Sequence, residues 1–184
     1  RMNFQPLGQT GIAVPEIGLG TWGYRAGPEP LRKGLEAGAL FIDTAESYGT
    51  EPVVAEAIHG LRERVFLATK VSRTNLCRGD VFKAADQSLR RLRTDYIDLY
   101  QIHEPNSGIP VEETLAAMEE LVDAGKVRFI GVSNFSVAEL QRAQAALRKH
   151  PIVSNQVRYN LADRTIETGV LPYCQANHIM VVAY

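Results

Sequence analysis

Short apolar runs rich in β-branched and aromatic residues alternate along this chain with longer stretches in which apolar residues recur at helical spacing. The short runs predict seven strands, at Ile17–Trp22, Leu40–Asp43, Val65–Val71, Tyr96–His103, Val127–Ser133, Ile152–Tyr159 and Ile179–Tyr184. The longer stretches predict six helices, at Glu29–Ala37, Pro52–Leu61, Asp80–Leu92, Val111–Ala124, Ser136–Lys149 and Thr168–Ala176. Strand–helix alternation with a period of roughly 25–30 residues is typical of a parallel α/β fold.

Local signals support several of these elements. The segment Phe4–Val14 has glycines between apolar residues, which predicts a β-hairpin that would cover the bottom of a barrel. Ser136 stands three residues before a glutamate, the spacing of a capping box. We also predict Asp80 as the N-cap of its helix, and Gly125 as the residue that ends the helix Val111–Ala124.

Two parallel architectures compete at this point, an open doubly wound sheet and a closed (β/α)8 barrel. An open nucleotide-binding sheet usually has a glycine-rich phosphate turn between its first strand and a helix. The segment Gly18–Gly23 looks similar, but its spacing differs from G-x-G-x-x-G and Gly23 is not followed by a helix. We therefore interpret this segment as a glycine-bearing strand.

Composition and charge narrow the function classes. With 184 residues, 45% of them hydrophobic, the chain fits one domain over residues 1–184. Twenty basic and 21 acidic residues give a net charge of -1, so we expect neither nucleic acid nor membrane as a partner. Cys77 and Cys174 form no metal-binding pattern and no disulfide framework, and no signal or membrane-spanning run is present. These features predict a cytoplasmic protein without a metal site.

Polar and ionisable residues recur where the predicted strands end. They are Asp43 with Tyr48 shortly after it, Lys70, His103, Ser133, Asn134, Gln156 and Tyr184. In a barrel of parallel strands these ends meet on one face, where active sites of this fold lie. Any one residue has a structural explanation, but chance would scatter such residues over both ends of the strands.

Four of these residues suit the reduction of a carbonyl group. The oxygen that becomes an alkoxide needs a proton, and Tyr48 could donate it, although the unperturbed pKa of tyrosine is about 10. We expect Lys70 to lower the pKa of Tyr48 and Asp43 to hold Lys70 charged. His103 could donate a hydrogen bond that orients the substrate oxygen.

The longer motifs around these positions carry a family resemblance. They are Phe41–Gly49, Phe66–Val71, Leu89–His103, Gly125–Phe135, Asn155-Gln156 and Val181–Tyr184. In this order and spacing the sequence resembles the bacterial-type members of the aldo-keto reductase superfamily, over nearly the whole chain.

The resemblance implies a TIM (β/α)8 barrel with an N-terminal β-hairpin, and an NADPH-dependent enzyme that reduces aldehydes and ketones. Tyr48 would be the proton donor, with Asp43, Lys70 and His103 as its catalytic partners. Ser133, Asn134 and Gln156 would hydrogen-bond the nicotinamide carboxamide of NADP(H). Tyr184 would stack on the nicotinamide ring, and Asp43 would contact the adjoining ribose. Trp22 and Tyr24 would either line the substrate pocket or only pack against the rest of the protein.

The resemblance also implies a longer protein. Family members continue past the position of Tyr184 into a further helix, strand and helix, and a complete barrel takes about 250 residues. We therefore expect an incomplete barrel after the seventh strand, with the first and seventh strands as unpaired edges.

Two other functions stay open from the sequence. A lysine at a strand end can form an imine, so Lys70 could serve a Schiff-base lyase. A non-catalytic nicotinamide-binding subunit of the same superfamily would keep the same motifs. The remaining histidines, His59, His150 and His178, match no functional position, and the helix charges Arg90, Arg91 and Arg93 are interpreted as a solvated face.

Overall fold

A computed structural model describes residues 2–184, and its centre is a seven-stranded sheet that curls around an interior of side chains. Its strands are β3 (Leu19–Gly20), β4 (Phe41–Asp43), β5 (Phe66–Val71), β6 (Ile97–Ile102), β7 (Val127–Ser133), β8 (Ile152–Val157) and β9 (Met180–Ala183). They lie side by side in chain order, and every neighbouring pair is parallel. The sheet confirms the predicted barrel type, and β3 and β9 are its two edges.

Helices follow the strands and cover the outside of the sheet. They are α1 (Pro28–Glu36), α2 (Glu51–Ala57), α3 (Arg78–Leu92), α4 (Val111–Asp123), α5 (Val137–Ala146) and α6 (Val170–Ala176), with 3₁₀ turns at Glu46–Tyr48, Arg62–Arg64 and Thr165–Thr168. The capping box of α5 is confirmed, because Ser136 Oγ accepts from Glu139 N and the Glu139 carboxylate accepts from Ser136 N. The prediction of Asp80 as an N-cap is wrong. The cap is Cys77, and Asp80 lies in the first turn, where a carboxylate still favours the positive end of the helix dipole.

The predicted hairpin is present and packs into the lower end of the sheet. Its strands β1 (Phe4–Pro6) and β2 (Ala13–Pro15) pair antiparallel. Leu7 and Val14 are buried in a cluster with Phe41 and Phe66, the first residues of β4 and β5. Leu7 is fully buried, so the hairpin closes the end of the barrel opposite the carboxyl ends of the strands.

Alternation along the strands separates two apolar clusters. On β5, Leu67 and Val71 belong to the larger cluster between sheet and helices, whereas Phe66 and Ala68 belong to the smaller one inside the curled sheet. Because successive side chains of a strand point to opposite faces, Lys70 shares the inner face with Phe66 and Ala68. A charged side chain therefore enters the interior near the carboxyl end of β5.

Arg91, which we expected on a solvated helix face, instead forms an ion pair with a buried carboxylate in the layer of helices. Arg91 Nε donates to Glu51 Oε2 at 2.6 Å, and Glu51 is 1% exposed. The other oxygen of this carboxylate accepts from Thr69 Oγ1 at 2.7 Å, so the buried charge has both a counter-ion and a second donor. The interpretation of Arg91 as part of a solvated face is therefore wrong. Within residues 2–184, no helix is long and apolar enough to cross a bilayer.

Candidate active site

Four of the predicted side chains meet at the carboxyl ends of β4, β5 and β6. Lys70 Nζ donates to Asp43 Oδ2 and, at 3.0 Å, to Thr44 O. Tyr48 Oη lies 3.5 Å from Lys70 Nζ and 3.4 Å from His103 Nε2. The phenol therefore stands between an ammonium and an imidazole, as the strand-end pattern predicts.

The turn after β4 determines where the phenol lies. Tyr48 ends a 3₁₀ turn, and Gly49 leaves it with a φ of 70°, a left-handed conformation that glycine adopts without a steric penalty. Below the turn, the hydroxyl of Thr50 forms buried hydrogen bonds with the hydroxyls of Thr21 and Thr44, each at 2.9 Å. This hydroxyl network attaches the turn to the ends of β3 and β4.

The charge on Lys70 is held by Asp43. Lys70 is fully buried, and burial lowers the pKa of its ammonium, while the charge and hydrogen bond of Asp43 raise it in opposition. On the far side of the carboxylate, Oδ1 accepts from Gln101 Nε2 at 3.1 Å and from Gln156 Nε2 at 3.0 Å. Asp43 thus has three donors, which fix its orientation toward Lys70.

The expected lowering of the Tyr48 pKa is wrong for this arrangement. The pKa of Tyr48 is raised to about 12, first by burial and then by the charge of Asp43, with Tyr184 and Glu104 adding to the rise. The ammonium of Lys70 lies beyond normal hydrogen-bond length and is already paired with Asp43. At neutral pH the phenol is therefore a protonated hydrogen-bond donor.

The imidazole next to it is neutral at pH 7. Burial lowers the pKa of His103, and the charge of Lys70 lowers it further, against the opposing carboxylates of Glu104, Asp43 and Glu46. Its Nδ1 lies 3.5 Å from Ser47 Oγ. A neutral ring with Nε2 toward the phenol can donate or accept there, depending on the tautomer.

A cavity of about 780 Å³ runs along the edge strands β3 and β9, from the hairpin to these residues. Asp43, Tyr48 and His103 line it, while Lys70 lies beneath its floor. The predicted cofactor residues Ser133, Asn134, Gln156 and Tyr184 line it as well.

The two predicted pocket aromatics have different positions. Trp22 lines the cavity and is 82% exposed. Tyr24 is not among the lining residues; its ring packs against the main core and its hydroxyl donates to Gly27 O at 2.7 Å. Of the two readings of Tyr24 that the sequence left open, the structure favours packing.

Asn134 connects the side of the cavity formed by β7, β8 and β9. Its φ of 61° is left-handed, a conformation in which asparagine is enriched. Its Nδ2 donates to His103 O at 3.2 Å and to Ser133 Oγ at 3.1 Å, and its Oδ1 accepts from Tyr184 Oη at 2.7 Å. The predicted cofactor residues therefore form one hydrogen-bonded group that adjoins His103.

Sequence reasoning missed two residues at this site. Gln101 is fully buried and donates to Asp43, and Glu104 lines the cavity directly after His103. Gln101 pairs with Lys70 across β5 and β6 and so shares the inner face of the sheet. This pairing register, which the structure shows, is what identifies Gln101 as a site residue. Within residues 2–184, no group of three or more His, Cys, Asp or Glu side chains could hold a metal ion.

Comparison with known proteins decides the family. The aldo/keto reductase family model matches residues 16–184. The chain belongs to the aldo/keto reductase family. It is 40% identical to Aldo-keto reductase YhdN of Bacillus subtilis, over 100% of this chain and 61% of that protein. It is 44% identical to Methylglyoxal reductase YeaE of Escherichia coli, over 94% of this chain and 64% of that protein. The chain thus spans about three fifths of the length of these relatives.

Solved structures agree with this assignment. The thermostable aldo-keto reductase Tm1743, crystallised with the inhibitor epalrestat, superposes with a TM-score of 0.95 at 43% identity, over 100% of this chain and 72% of that one. An aldo-keto reductase from Klebsiella pneumoniae in complex with NADPH superposes with a TM-score of 0.93 at 42% identity, over 100% of this chain and 68% of that one. The curled sheet therefore corresponds to the first seven strands of the barrel of this family.

Proposed function

We propose that the protein reduces aldehydes and ketones to alcohols with NADPH, using Tyr48 as the proton donor. The observation that carries this proposal is the position of the Tyr48 hydroxyl, 3.5 Å from Lys70 Nζ and 3.4 Å from His103 Nε2, at the floor of a cavity. The NADPH complex of the Klebsiella pneumoniae relative and the name of methylglyoxal reductase YeaE support the cofactor and the reaction class.

The cavity wall offers groups that fit a nicotinamide. Gln156 Oε1 accepts no hydrogen bond from the described residues, so it is available to the amino group of a carboxamide. Ser133 and Asn134 place a hydroxyl and a second amide nearby, and the half-exposed ring of Tyr184 offers a flat surface for stacking. When bound there, the cofactor supplies a hydride to the carbonyl carbon of the substrate.

The residues of this chain would handle the proton and the oxygen. The pKa of Tyr48, about 12, keeps its hydroxyl protonated at neutral pH, so it can give that proton to the oxygen as negative charge develops. The ammonium of Lys70, 3.5 Å away, would limit the cost of the tyrosinate left behind, although burial and Asp43 outweigh it and keep the pKa of Tyr48 raised. Neutral His103 would donate a hydrogen bond that orients the oxygen.

The direct test replaces Tyr48 by phenylalanine. We expect kcat for an uncharged aldehyde to fall by about 10²- to 10⁴-fold, the usual contribution of a positioned acid, with a small change in the affinity for NADPH. Tyr96→Phe is the matched control, because Tyr96 lies outside the cavity beneath Arg62. A Tyr48→Phe protein that turns over within threefold of the parent would contradict the role of Tyr48.

The same experiment separates the alternative functions. NADPH binding without turnover in the parent protein would support a non-catalytic binding subunit. A Schiff base at Lys70 has little support, because its Nζ is buried and bonded to Asp43 and Thr44. Borohydride trapping of a substrate on Lys70 would revive it. The cytoplasmic location and the single domain over residues 1–184 stay predictions from the sequence.

A further inference from the structure

The charged side chains that line the cavity beside Tyr48 are all acidic among the described residues. Its ionisable lining residues, apart from Tyr48, Tyr184 and His103, are three carboxylates, Glu16, Asp43 and Glu104. No lysine or arginine among residues 2–184 lines it. His103 adds no full positive charge at pH 7, because its pKa is lowered by burial and by Lys70.

Two of the three carboxylates matter less at the reacting end. The charge of Asp43 is compensated by Lys70 and by two amide donors. Glu16 precedes β3, and so lies toward the end of the barrel opposite Tyr48. Glu104 remains, one residue after His103 at the end of β6.

The charge of Glu104 is only weakly compensated. Among residues 2–184 it pairs with the cation Arg73, with 3.9 Å between Nη1 and Oε2, and both side chains are about half exposed. Such a pair at the distance limit contributes little and is screened by water. The carboxylate accepts no hydrogen bond from the described residues.

This charge reaches the reacting groups. Burial and Asp43 make the larger contributions to the raised pKa of Tyr48, and Glu104 adds to them. Glu104 also opposes the lowering of the His103 pKa that burial and Lys70 produce. The carboxylate is therefore close enough to act on a group bound between Tyr48 and His103.

We propose that Glu104 makes this site select uncharged carbonyl substrates and disfavour carbonyl substrates that carry a carboxylate. The proposal rests on the proposed reductase function. A carbonyl oxygen held by Tyr48 and His103 places the rest of a small substrate in the cavity, beside Glu104. A carboxylate of the substrate there meets the like charge of Glu104, and no lysine or arginine among residues 2–184 lines the cavity to offset it, so this repulsion weakens binding.

The test compares two aldehydes of the same shape, 4-nitrobenzaldehyde and 4-formylbenzoate, at pH 7 and low salt. We expect the purified protein to prefer the uncharged aldehyde in kcat/KM. In Glu104→Gln, the ratio of the two kcat/KM values should shift toward 4-formylbenzoate by about fivefold, mostly through KM. The shift should shrink in 1 M salt, because half-exposed charges are screened over about 3 Å at that ionic strength.

Glu63→Gln is the matched control, since Glu63 is exposed in the 3₁₀ turn at Arg62–Arg64, outside the cavity. It removes the same charge from the protein and should leave the ratio at the parental value. An equal shift in both variants would mean that net charge, not the position of Glu104, determines selectivity, and would overturn the proposal. An unchanged ratio in Glu104→Gln would overturn it as well.

A binding measurement keeps the proposal separate from the reductase function. If the protein reduces neither aldehyde, the reductase function is contradicted, and titration calorimetry with benzoate and benzamide then decides on Glu104. Glu104→Gln should strengthen binding of benzoate about fivefold relative to benzamide. Equal relative affinities in parent and variant would overturn the proposal.

Discussion

The buried pair of Lys70 and Asp43 allows a quantitative test of the site. Asp43→Asn keeps the shape of the side chain and removes the carboxylate that is bonded to the fully buried ammonium of Lys70. Thr44 O, at 3.0 Å, remains as a neutral acceptor. We expect this change to be among the most destabilising single substitutions at the site.

The magnitude follows from two limits. Removing one partner of a buried ion pair costs about 3–5 kcal/mol, because the other charge is left without compensation. Deprotonation limits this cost, since a lysine with an unperturbed pKa of about 10.4 loses its proton at pH 7 for about 4.6 kcal/mol. With Thr44 O still accepting, we expect Asp43→Asn to lower the free energy of unfolding by about 3–4 kcal/mol at pH 7.

The loss should depend on pH with a defined sign. Burial already lowers the pKa of Lys70, and loss of Asp43 removes the interaction that opposes this lowering. Between the lowered folded pKa and the unfolded value near 10.4, the unfolded chain binds more protons, so stability rises with pH. Urea unfolding followed by circular dichroism should therefore give a smaller deficit at pH 9 than at pH 7.

A double-mutant cycle shows whether the charge is responsible. Lys70→Met removes the ammonium and leaves Asp43 with the amide donors of Gln101 and Gln156. If the unpaired ammonium causes the loss, Asp43→Asn combined with Lys70→Met should be more stable than Asp43→Asn alone. A deficit below about 1 kcal/mol at pH 7, or additive single effects with no pH dependence, would refute the reasoning.

Three further outcomes follow from the same structure. Because the pKa of Tyr48 is about 12, the steady-state rate of carbonyl reduction should show no loss of the tyrosine proton between about pH 7 and 10; a titration near pH 8 assigned to Tyr48 by its absence in Tyr48→Phe would contradict this. Gly131→Ala should lower the free energy of unfolding by about 1–3 kcal/mol, because its Cβ would lie 2.5 Å from Ser154 Oγ, and Ser154→Ala should recover part of the loss in urea unfolding. Ser136→Ala removes the α5 cap and should cost about 0.5–2 kcal/mol in the same assay, whereas Ser136→Asp should retain most of the stability.

The site was predictable where it depended on strand ends. The apolar runs ending at Asp43, Lys70 and His103 correspond to β4, β5 and β6 within a residue or two, and parallel strands carry such ends to one face. Tyr48 lies in a turn, where periodicity carries no information. It was a candidate because it follows the strand end at Asp43 and because a phenol can donate a proton, and the family resemblance implied the same role. Its contacts with Lys70 and His103 depend on how that turn folds back.

Predictions that depended on the distance between side chains or on their burial were wrong or incomplete. The presence of a lysine suggested a lowered pKa for Tyr48, but the phenol is half-buried, Lys70 is committed to Asp43, and the pKa rises instead. Gln101 looked like an ordinary strand residue, although its register opposite Lys70 makes it a donor to Asp43. Arg91 looked solvated, yet a buried carboxylate on another helix determines its position.

By itself the sequence determined the order of the elements, a parallel α/β fold and the set of polar residues at one end of its strands, because these follow from side-chain periodicity along single segments. The choice of a barrel over an open sheet came from the family resemblance, not from periodicity. The tertiary structure decided which of those residues share a hydrogen bond, which charge compensates which, and that Glu104 is left facing the cavity. Those properties depend on distances between segments far apart in the chain and on their exclusion from water, and local sequence patterns do not encode either quantity.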